Sequence, residues 1–289
     1  MTAGSPAGSW TVKELLGWTT PFFEKKGASS PRLDAELLLA EVLSCERLQL
    51  YLDHDRPVDE DERAAFRRLV ERRAAGEPVA YLLGRREFYG RSFRIDSRVL
   101  VPRPETELLV DAALALIPGG GQDPVLDLCS GSGCIGVTLA AERPTLSVVA
   151  VELSPDAAAL ARENAEQLGV SERYEQREGD LFEALAEGER FAALTANPPY
   201  IAPASWEGLP PEVRHEPRMA LLAPEEGLAL SRRILREGRA FLLPGGHLLL
   251  EHGEEQGPTL RAEALALGWS AAEVRRDLAG HDRLLVARA

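Results

Sequence analysis

The chain has 289 residues, of which 45% are hydrophobic and 27% charged, a composition typical of a globular protein with length for one large or two ordinary domains. Its formal net charge of −13 argues against broad nucleic-acid binding, which relies on positive surface that neutralises phosphates. Its three cysteines and five histidines lack the spacing of a metal site, so we expect no metal. No apolar run is long enough to cross a membrane, and the first residues lack an export signal, so we expect a cytoplasmic protein.

The first 85 or so residues are predicted to be helical. One helix is expected from about Asp59 to Ala75, because apolar residues recur there at helical spacing. Its opposite face carries four arginines: Arg67, Arg68, Arg72 and Arg73. A solvated face is the simpler interpretation of these arginines. The alternative is a docking surface for an acidic partner.

The helical periodicity ends before residues 86–101, which instead have short apolar runs separated by turn-forming residues. Phe88 and Phe93 lie on either side of Gly90, and this pattern predicts a short β-hairpin. The segment 101–107 then begins a helix through Ile117. We interpret residues 86–105 as a hairpin linker between a helical domain, 1–85, and a second domain, 106–289.

From Val125 onward, apolar strands alternate with helices, which predicts a parallel, doubly wound sheet with right-handed crossovers. The predicted strands cover 125–128, 146–151, 174–178, 191–196, 247–251, 272–276 and 284–288. A helix over 227–243 is expected to stop at Pro244-Gly245-Gly246. The last two strands follow each other closely and therefore form an antiparallel edge. The predicted fold is α/β: a Rossmann-like, doubly wound, seven-stranded sheet with a small helical N-terminal domain.

A glycine-rich stretch, residues 127–136, lies on the first turn from strand to helix. Gly131 and Gly133 would let the backbone approach a ligand closely, next to the free N–H groups of a helix N-terminus. Glu152 ends the next strand, where a carboxylate can accept both hydroxyls of a ribose. The pattern indicates a cofactor that contains adenosine, and it also fits a dinucleotide site. An ordinary tight turn is the structural alternative.

Polar residues also follow the third and fourth strands. Asp180 could accept the amino group of an adenine, with Leu181 or Phe182 covering the ring, although a helix N-cap is the simpler role for Asp180. Asn197 follows the fourth strand. Ligands of open α/β sheets bind at the carboxyl ends of strands, so four such ends with suitable residues predict one site.

Asn197-Pro198-Pro199-Tyr200 is the most specific of these segments. The two prolines fix φ and remove two N–H donors, and the residue before a proline is pushed toward an extended conformation. Carbonyl acceptors next to an aromatic ring suit a planar –NH2 group. A stiff turn after a strand is the alternative.

The four strand ends together resemble the class I S-adenosylmethionine-dependent methyltransferases, and the Asn-Pro-Pro-Tyr segment resembles those that methylate planar nitrogen. Nearly the whole chain is similar to the release factor glutamine methyltransferase family. The segments that carry this resemblance are 88–90 (FYG), 101–107 (VPRPETE), 215–217 (HEP) and 277–283 (DLAGHDR). Two departures from the family pattern are Cys129-Ser130 in place of Gly-Thr, and Pro224-Glu225-Glu226-Gly227, which leaves the shape of that loop open.

The resemblance implies methylation of the side-chain nitrogen, N5, of glutamine in the Gly-Gly-Gln motif of class I peptide chain release factors. The cofactor would be S-adenosyl-L-methionine and its product S-adenosyl-L-homocysteine. The implied cofactor-binding residues are Cys129, Ser130, Gly131, Ser132, Gly133, Glu152, Asp180, Leu181 and Asn197. The implied substrate-binding residues are Asn197, Pro198, Pro199 and Tyr200, and Asn197, Pro198 and Tyr200 would be catalytic. The helical domain would recognise the substrate, and we expect a monomer without direct nucleic-acid binding.

Several other functions share part of this pattern. A sister family methylates glutamine in a ribosomal protein, and nucleic-acid adenine or cytosine methyltransferases share the Asn-Pro-Pro-Tyr chemistry. The negative charge and the lack of a domain for a flipped base disfavour the latter. An NAD-dependent dehydrogenase would explain the glycine loop but not residues 197–200. A non-catalytic adaptor that binds the cofactor is the remaining alternative.

Overall fold

The structure is a computed structural model that describes residues 10–117 and 123–289. The chain divides into two compact units: one runs to Gly84 and includes Pro210–His215, and the other comprises Arg85–Leu209 and Glu216–Ala289. The predicted lack of an export signal in residues 1–9 concerns residues outside the described part.

The first unit is helical. Its helices are α1 Val12–Lys25, α2 Pro31–Val42, α3 Gln49–Leu52, α4 Glu60–Ala74 and α5 Val79–Leu83. Capping boxes begin α1 at Thr11 and α4 at Asp59, so orphan N–H groups at both helix starts are satisfied by side chains. Phe23 and Phe66 lie in the core of this unit. The predicted helix over 59–75 is confirmed as α4 with its two caps.

The arginines of α4 do not form one exposed face, which corrects the sequence-based interpretation. Arg67, Arg68 and Arg72 are exposed, but Arg73 is buried. Its guanidinium forms an ion pair with Asp34 at 2.8 Å and a second with Glu212. The helical pattern placed Arg73 beside Arg72, but it could not show that carboxylates from distant segments satisfy an inward-facing guanidinium.

The second unit begins with the predicted hairpin, β1 Arg85–Phe88 and β2 Arg91–Arg94. Phe88 and Phe93 are buried and meet edge to face, with 6.1 Å between ring centroids. The hairpin leads to α6, Glu107–Leu116. The contacts group it with the second unit; the domain limits at 85 and 105 stay a prediction.

The remaining elements of the second unit form a seven-stranded sheet with helices. In chain order they are β3 Val125–Leu128, α7 Cys134–Glu142, β4 Val148–Glu152, α8 Pro155–Gln167, β5 Tyr174–Glu178, β6 Phe191–Ala196, α9 Arg218–Leu221, α10 Ala229–Glu237, β7 Leu242–Glu251, α11 Gly257–Ala266, β8 Ala271–Arg276 and β9 Asp282–Arg288. The strand order is β5-β4-β3-β6-β7-β9-β8. Strands β3 to β7 are parallel, whereas β9 pairs antiparallel with both β7 and β8. The predicted fold class and the antiparallel edge are confirmed.

Two details of this part of the prediction were wrong. Pro244-Gly245-Gly246 lies inside β7 and not at the end of a helix, since α10 ends at Glu237. A Cβ on Gly246 would lie 3.0 Å from the carbonyl oxygen of Ala192 in β6, and the register of the pair shifts near this point. These residues therefore form an irregularity in a strand. Helix α11 was not predicted.

The sheet topology fixes where a ligand site can form. Strands β4 and β5 extend the sheet to one side of β3, and β6 and β7 extend it to the other. The order in which strands are added to the sheet therefore reverses between the neighbouring strands β3 and β6. The loops after these two strands diverge at their carboxyl ends, which is where open α/β sheets bind ligands.

Candidate active site

A cavity in the second unit lies at the carboxyl ends of β3 to β6. The predicted site residues that line it are Cys129, Ser130, Gly131, Ser132, Glu152, Asp180, Leu181, Asn197 and Pro199. Three other predicted site residues are not among the described lining residues: Gly133, Pro198 and Tyr200. The structure thus brings residues from all four predicted strand ends to one cavity, across nearly 70 positions of sequence from Cys129 to Asn197.

The two glycines of the loop after β3 have different surroundings. Gly133 precedes α7 with φ +78°, and a Cβ there would lie 2.9 Å from the hydroxyl of Tyr174. Gly131 has φ +54°, but no heavy atom of the described residues lies within 4 Å of its ideal Cβ position. Gly133 therefore serves close packing, whereas Gly131 leaves space beside the backbone on the cavity side.

Glu152 joins the glycine loop to the end of β4. One carboxylate oxygen accepts a hydrogen bond from the Gly131 N–H at 2.9 Å, and the other accepts from the Ser154 N–H at 2.9 Å. Each carboxylate oxygen has more than one acceptor position. The carboxylate is therefore held in place by the backbone and keeps acceptor capacity on the cavity side.

The residues after β5 separate into cavity and core. Leu181 lines the cavity with φ +50°, an uncommon conformation for a residue with a side chain. Phe182 instead stacks on Phe241, with 4.9 Å between ring centroids. Asp180 forms an ion pair with Arg233 at 2.7 Å, and its side chain makes no capping bond to the short helical turn that follows.

The Asn-Pro-Pro-Tyr segment follows β6. Pro198 is buried, and the amide nitrogen of Asn197 donates to the Thr106 hydroxyl at 3.4 Å. The carbonyl of Tyr200 accepts from the Gln256 side chain at 3.0 Å. Burial raises the pKa of the Tyr200 phenol, so this residue is neutral at physiological pH. The segment is thus held at both ends, with Asn197 and Pro199 on the cavity.

Neither cysteine near the cavity is a thiolate at neutral pH. Burial raises the pKa of the Cys129 thiol well above its usual range, and the negative charges of Glu152, Asp127 and Asp180 act in the same direction. Burial likewise raises the pKa of Cys134 to about 12. Because the thiolate is the nucleophilic form, covalent catalysis by these cysteines is disfavoured.

Sequence reasoning did not assign a site role to three residues at or near the cavity, Thr106, Glu216 and Glu251. Thr106 lines it and contacts Asn197, and Glu251 ends the adjacent strand β7. Buried Glu216 accepts from the Val101 N–H at 3.0 Å and pairs with Arg103 at 2.5 Å, which fixes the wall formed by residues 98–103. The strand-end argument would have found Glu251 had it continued to the fifth strand. Nothing local to the sequence identifies the partners of Thr106 or Glu216.

Comparison with known proteins identifies the family. Residues 14–84 match the family model of the PrmC N-terminal domain, and residues 105–207 match the methyltransferase small domain. A release factor glutamine methyltransferase of Rhodopirellula baltica is 43% identical over 286 residues, 96% of this chain and 95% of the relative. Another, of Geobacter sulfurreducens, is 42% identical over 96% of this chain and 97% of its own length. This chain belongs to the release factor glutamine methyltransferase family.

Solved structures agree with the family's fold. A methyltransferase from Pyrococcus furiosus superposes with a TM-score of 0.52 at 17% identity, over 75% of this chain and 96% of that one. A 16S rRNA methyltransferase from T. Thermophilus, in complex with AdoMet and guanosine, has a TM-score of 0.52 at 21% identity, over 71% of this chain and 49% of that one. At these identities the likeness concerns the fold alone. Family membership makes the chain a methyltransferase.

Metal-binding clusters and membrane-spanning helices are both absent from the described residues. Among them, no group of three or more His, Cys, Asp or Glu side chains is arranged to hold a metal ion. None of the helices in residues 10–117 and 123–289 combines the length and apolarity that crossing a membrane requires.

Proposed function

We propose that this enzyme methylates the side-chain amide nitrogen of the glutamine in the Gly-Gly-Gln motif of class I peptide chain release factors, in the cytoplasm. The methyl donor is S-adenosyl-L-methionine, and S-adenosyl-L-homocysteine is the second product. The observation that carries the proposal is the position of Asn197 and Pro199 on the same cavity as the glycine loop. Similarity over nearly the full length to relatives named release factor glutamine methyltransferase supports the acceptor.

The described residues fit the proposed cofactor. The open side of Gly131 admits a ligand against the backbone, and the Glu152 carboxylate keeps acceptor capacity there for two ribose hydroxyls. Asp180 and Leu181 would contact the adenine, and residues 129–132 the methionine part. When bound, the cofactor supplies an electrophilic methyl group on a positively charged sulfur. Its positive charge suits a cavity bordered by the Glu152 carboxylate, whereas Asp180 is already paired with Arg233.

Asn197 and Pro198 act on the acceptor amide. An amide nitrogen is a poor nucleophile because its lone pair is delocalised into the carbonyl. The Asn197 side-chain oxygen and the Pro198 carbonyl would accept its two N–H groups, which raises electron density on nitrogen and orients it for in-line attack. Tyr200 would stack near the amide plane. Such positioning supplies on the order of 7–11 kcal/mol of a barrier.

The reaction needs no strong general base. The bond from methyl to nitrogen forms as the bond from methyl to sulfur breaks, and the N-methylated amide is then acidic enough to release its extra proton. Asn197 and Pro198 hold the two N–H groups until that proton leaves. This agrees with the protonated state of Cys129 and Cys134.

We propose that the helical unit docks the body of the release factor. An apolar groove in this unit is lined by Trp18, Phe22 and Arg67, and Trp18 is 54% exposed. Arg67 and Arg68 add positive charge to α4. Apolar surface next to exposed arginines is typical of protein interfaces. We therefore expect a partner with apolar and acidic side chains, and a monomeric enzyme that does not bind nucleic acid directly.

The test is methyl transfer followed by mass spectrometry. The purified enzyme is incubated with methyl-labelled S-adenosylmethionine and an unmodified class I release factor, and with a factor whose Gly-Gly-Gln glutamine is replaced by alanine as the control. We expect one methyl on that glutamine and none on the control. Transfer to a ribosomal protein or to DNA, with none to the release factor, would overturn the proposed acceptor.

A further inference from the structure

Glu251 is a buried carboxylate that the proposed reaction does not use. It ends β7, is only 2% exposed, and its Oε2 atom has no hydrogen-bond partner among the residues that the structure describes. A buried charged group without full compensation is costly, and in a native protein such a group calls for an explanation. Its position beside the cavity suggests a function.

The sheet places Glu251 next to Asn197. Strands β6 and β7 run parallel, with Ala196 opposite Leu250, so the same register brings Asn197, directly after β6, opposite Glu251, the last residue of β7. Thr106 is 1% exposed and accepts the hydrogen bond from the Asn197 amide nitrogen. Burial is the main cause that raises the pKa of Glu251, while the Thr106 hydroxyl and the Asn197 amide favour its charged form.

The number of protons determines the direction of these contacts. A charged carboxylate only accepts, and a threonine hydroxyl has one proton to donate. If that proton points at Glu251, the Thr106 oxygen is left to accept from Asn197, whose NH2 group must then face inward. The carbonyl oxygen of the Asn197 side chain consequently faces the opposite way. A neutral group in place of Glu251 would remove this preference.

We infer that Glu251 is a positioning residue that acts through Thr106 to hold the Asn197 amide with its oxygen toward the substrate. The inference rests on the proposed function, in which that oxygen accepts an N–H of the glutamine amide. With the amide turned over, its NH2 group would meet the NH2 group of the substrate, and two donors cannot pair. The carboxylate therefore sets the polarity of the site without touching substrate.

Four variants separate this positioning from a structural role. Thr106→Val removes the hydroxyl, and Glu251→Gln keeps the shape but can donate to Thr106 and so reverse the chain of donors. We expect each to lower kcat by about 10- to 100-fold, with cofactor affinity within about threefold. Thr106→Ser should recover most of the rate. Thr195→Val is the matched control, because Thr195 also donates to a buried carboxylate, Asp127, at 2.8 Å; it should lower the melting temperature and leave kcat within about threefold.

The double variant Thr106→Val/Glu251→Gln tests the connection directly. If Glu251 acts through Thr106, the double variant is no slower than Thr106→Val alone. The inference would be overturned if the kcat losses of the two single variants multiplied in the double variant, or if Thr106→Ser were as slow as Thr106→Val. If the wild-type enzyme methylates the factor and the single variants have unchanged kcat, the inference is overturned but the proposed function is not. A wild-type enzyme that methylates no glutamine would overturn the proposed function and this inference with it.

Discussion

At the scale of single residues, Glu251 has opposite consequences for stability and for activity. Burial raises its pKa from 4.5 to about 7, the negative charge of Glu105 acts the same way, and Thr106, Arg283 and Asn197 oppose this shift. The folded protein therefore binds the proton more tightly than the unfolded chain. The stability that this gives is present below about pH 4.5 and lost as the pH rises through about 7. The inferred role needs the charged form, so activity is gained where stability is lost.

This opposition predicts the pH dependence of the rate. The kcat of the wild-type enzyme should fall as the pH falls through about 7, because protonated Glu251 can donate to Thr106. Glu251→Gln should be slower at high pH and lack this inflection, as measured by steady-state rates from pH 5.5 to 9. Glu254→Gln, an exposed change of the same kind, should keep it. An inflection that survives in Glu251→Gln would assign it to another group.

Residues of the site differ in how far sequence could predict them. Glu152 ends one apolar strand and Asn197 directly follows another, so the strand pattern alone predicts both at the cavity. Thr106 lies in a short helical turn 91 positions before Asn197, and only the folded chain brings the two together. Tyr200 was predicted to stack beside the substrate, yet it lies outside the described lining, and its role stays a prediction.

At the scale of elements, the loop before α10 and the Asn-Pro-Pro-Tyr segment hold each other in place. Glu225, Glu226 and Gly227 adopt left-handed φ values of 54°, 58° and 87°. A Cβ on Gly227 would lie 2.0 Å from the Tyr200 carbonyl oxygen. The Gln256 side chain donates to the carbonyls of both Tyr200 and Glu226. The shape of this loop could not be predicted from the sequence, because two glutamates, and not only a glycine, adopt the left-handed conformation.

A pair of glycine variants tests this contact. Gly227→Ala should lower the melting temperature and also lower kcat, because the new methyl group displaces the Tyr200 backbone. Gly188→Ala is the matched control: it has nearly the same φ, +88°, with no described heavy atom within 4 Å of its ideal Cβ position. It should cost only about 1 kcal/mol of backbone strain and leave kcat unchanged. Equal effects of the two variants on kcat would contradict the contact.

The elements themselves were predictable where burial imposes a pattern. Strand β3 is buried along its whole length, and its apolar residues between a proline and a glycine-rich loop indicate a central parallel strand. Pro244-Gly245-Gly246 was misjudged because the same residues that end helices also permit a bulge. Which of the two occurs depends on the neighbouring strand, which local sequence does not specify.

At the scale of the whole molecule, the arginines of α4 differ in burial, since Arg67 and Arg68 are exposed and Arg73 is buried. We expect Arg67→Glu/Arg68→Glu to raise the KM for the release factor without changing the melting temperature, because both side chains are exposed. Arg73→Met should instead destabilise the protein by about 3–5 kcal/mol, because it leaves the buried Asp34 carboxylate unpaired. Steady-state kinetics and thermal melts measure the two effects.

Arg72→Ala is the control for this comparison. Arg72 neighbours Arg73 but is exposed and pairs with Glu77 at 2.5 Å, and an exposed pair contributes only about 0–1 kcal/mol. An unchanged KM in the double charge reversal would contradict docking by these arginines. An Arg73→Met protein as stable as Arg72→Ala would contradict the buried ion pair.

We propose above all that Asn197, at the cavity end of β6, holds the amide that receives the methyl group. The most direct test of this proposal is Asn197→Ala, with transfer to the release factor measured by mass spectrometry and cofactor affinity by calorimetry. We expect this variant to abolish transfer while the dissociation constant of S-adenosylmethionine stays within about tenfold of wild type. Near-normal turnover by Asn197→Ala would contradict the proposal.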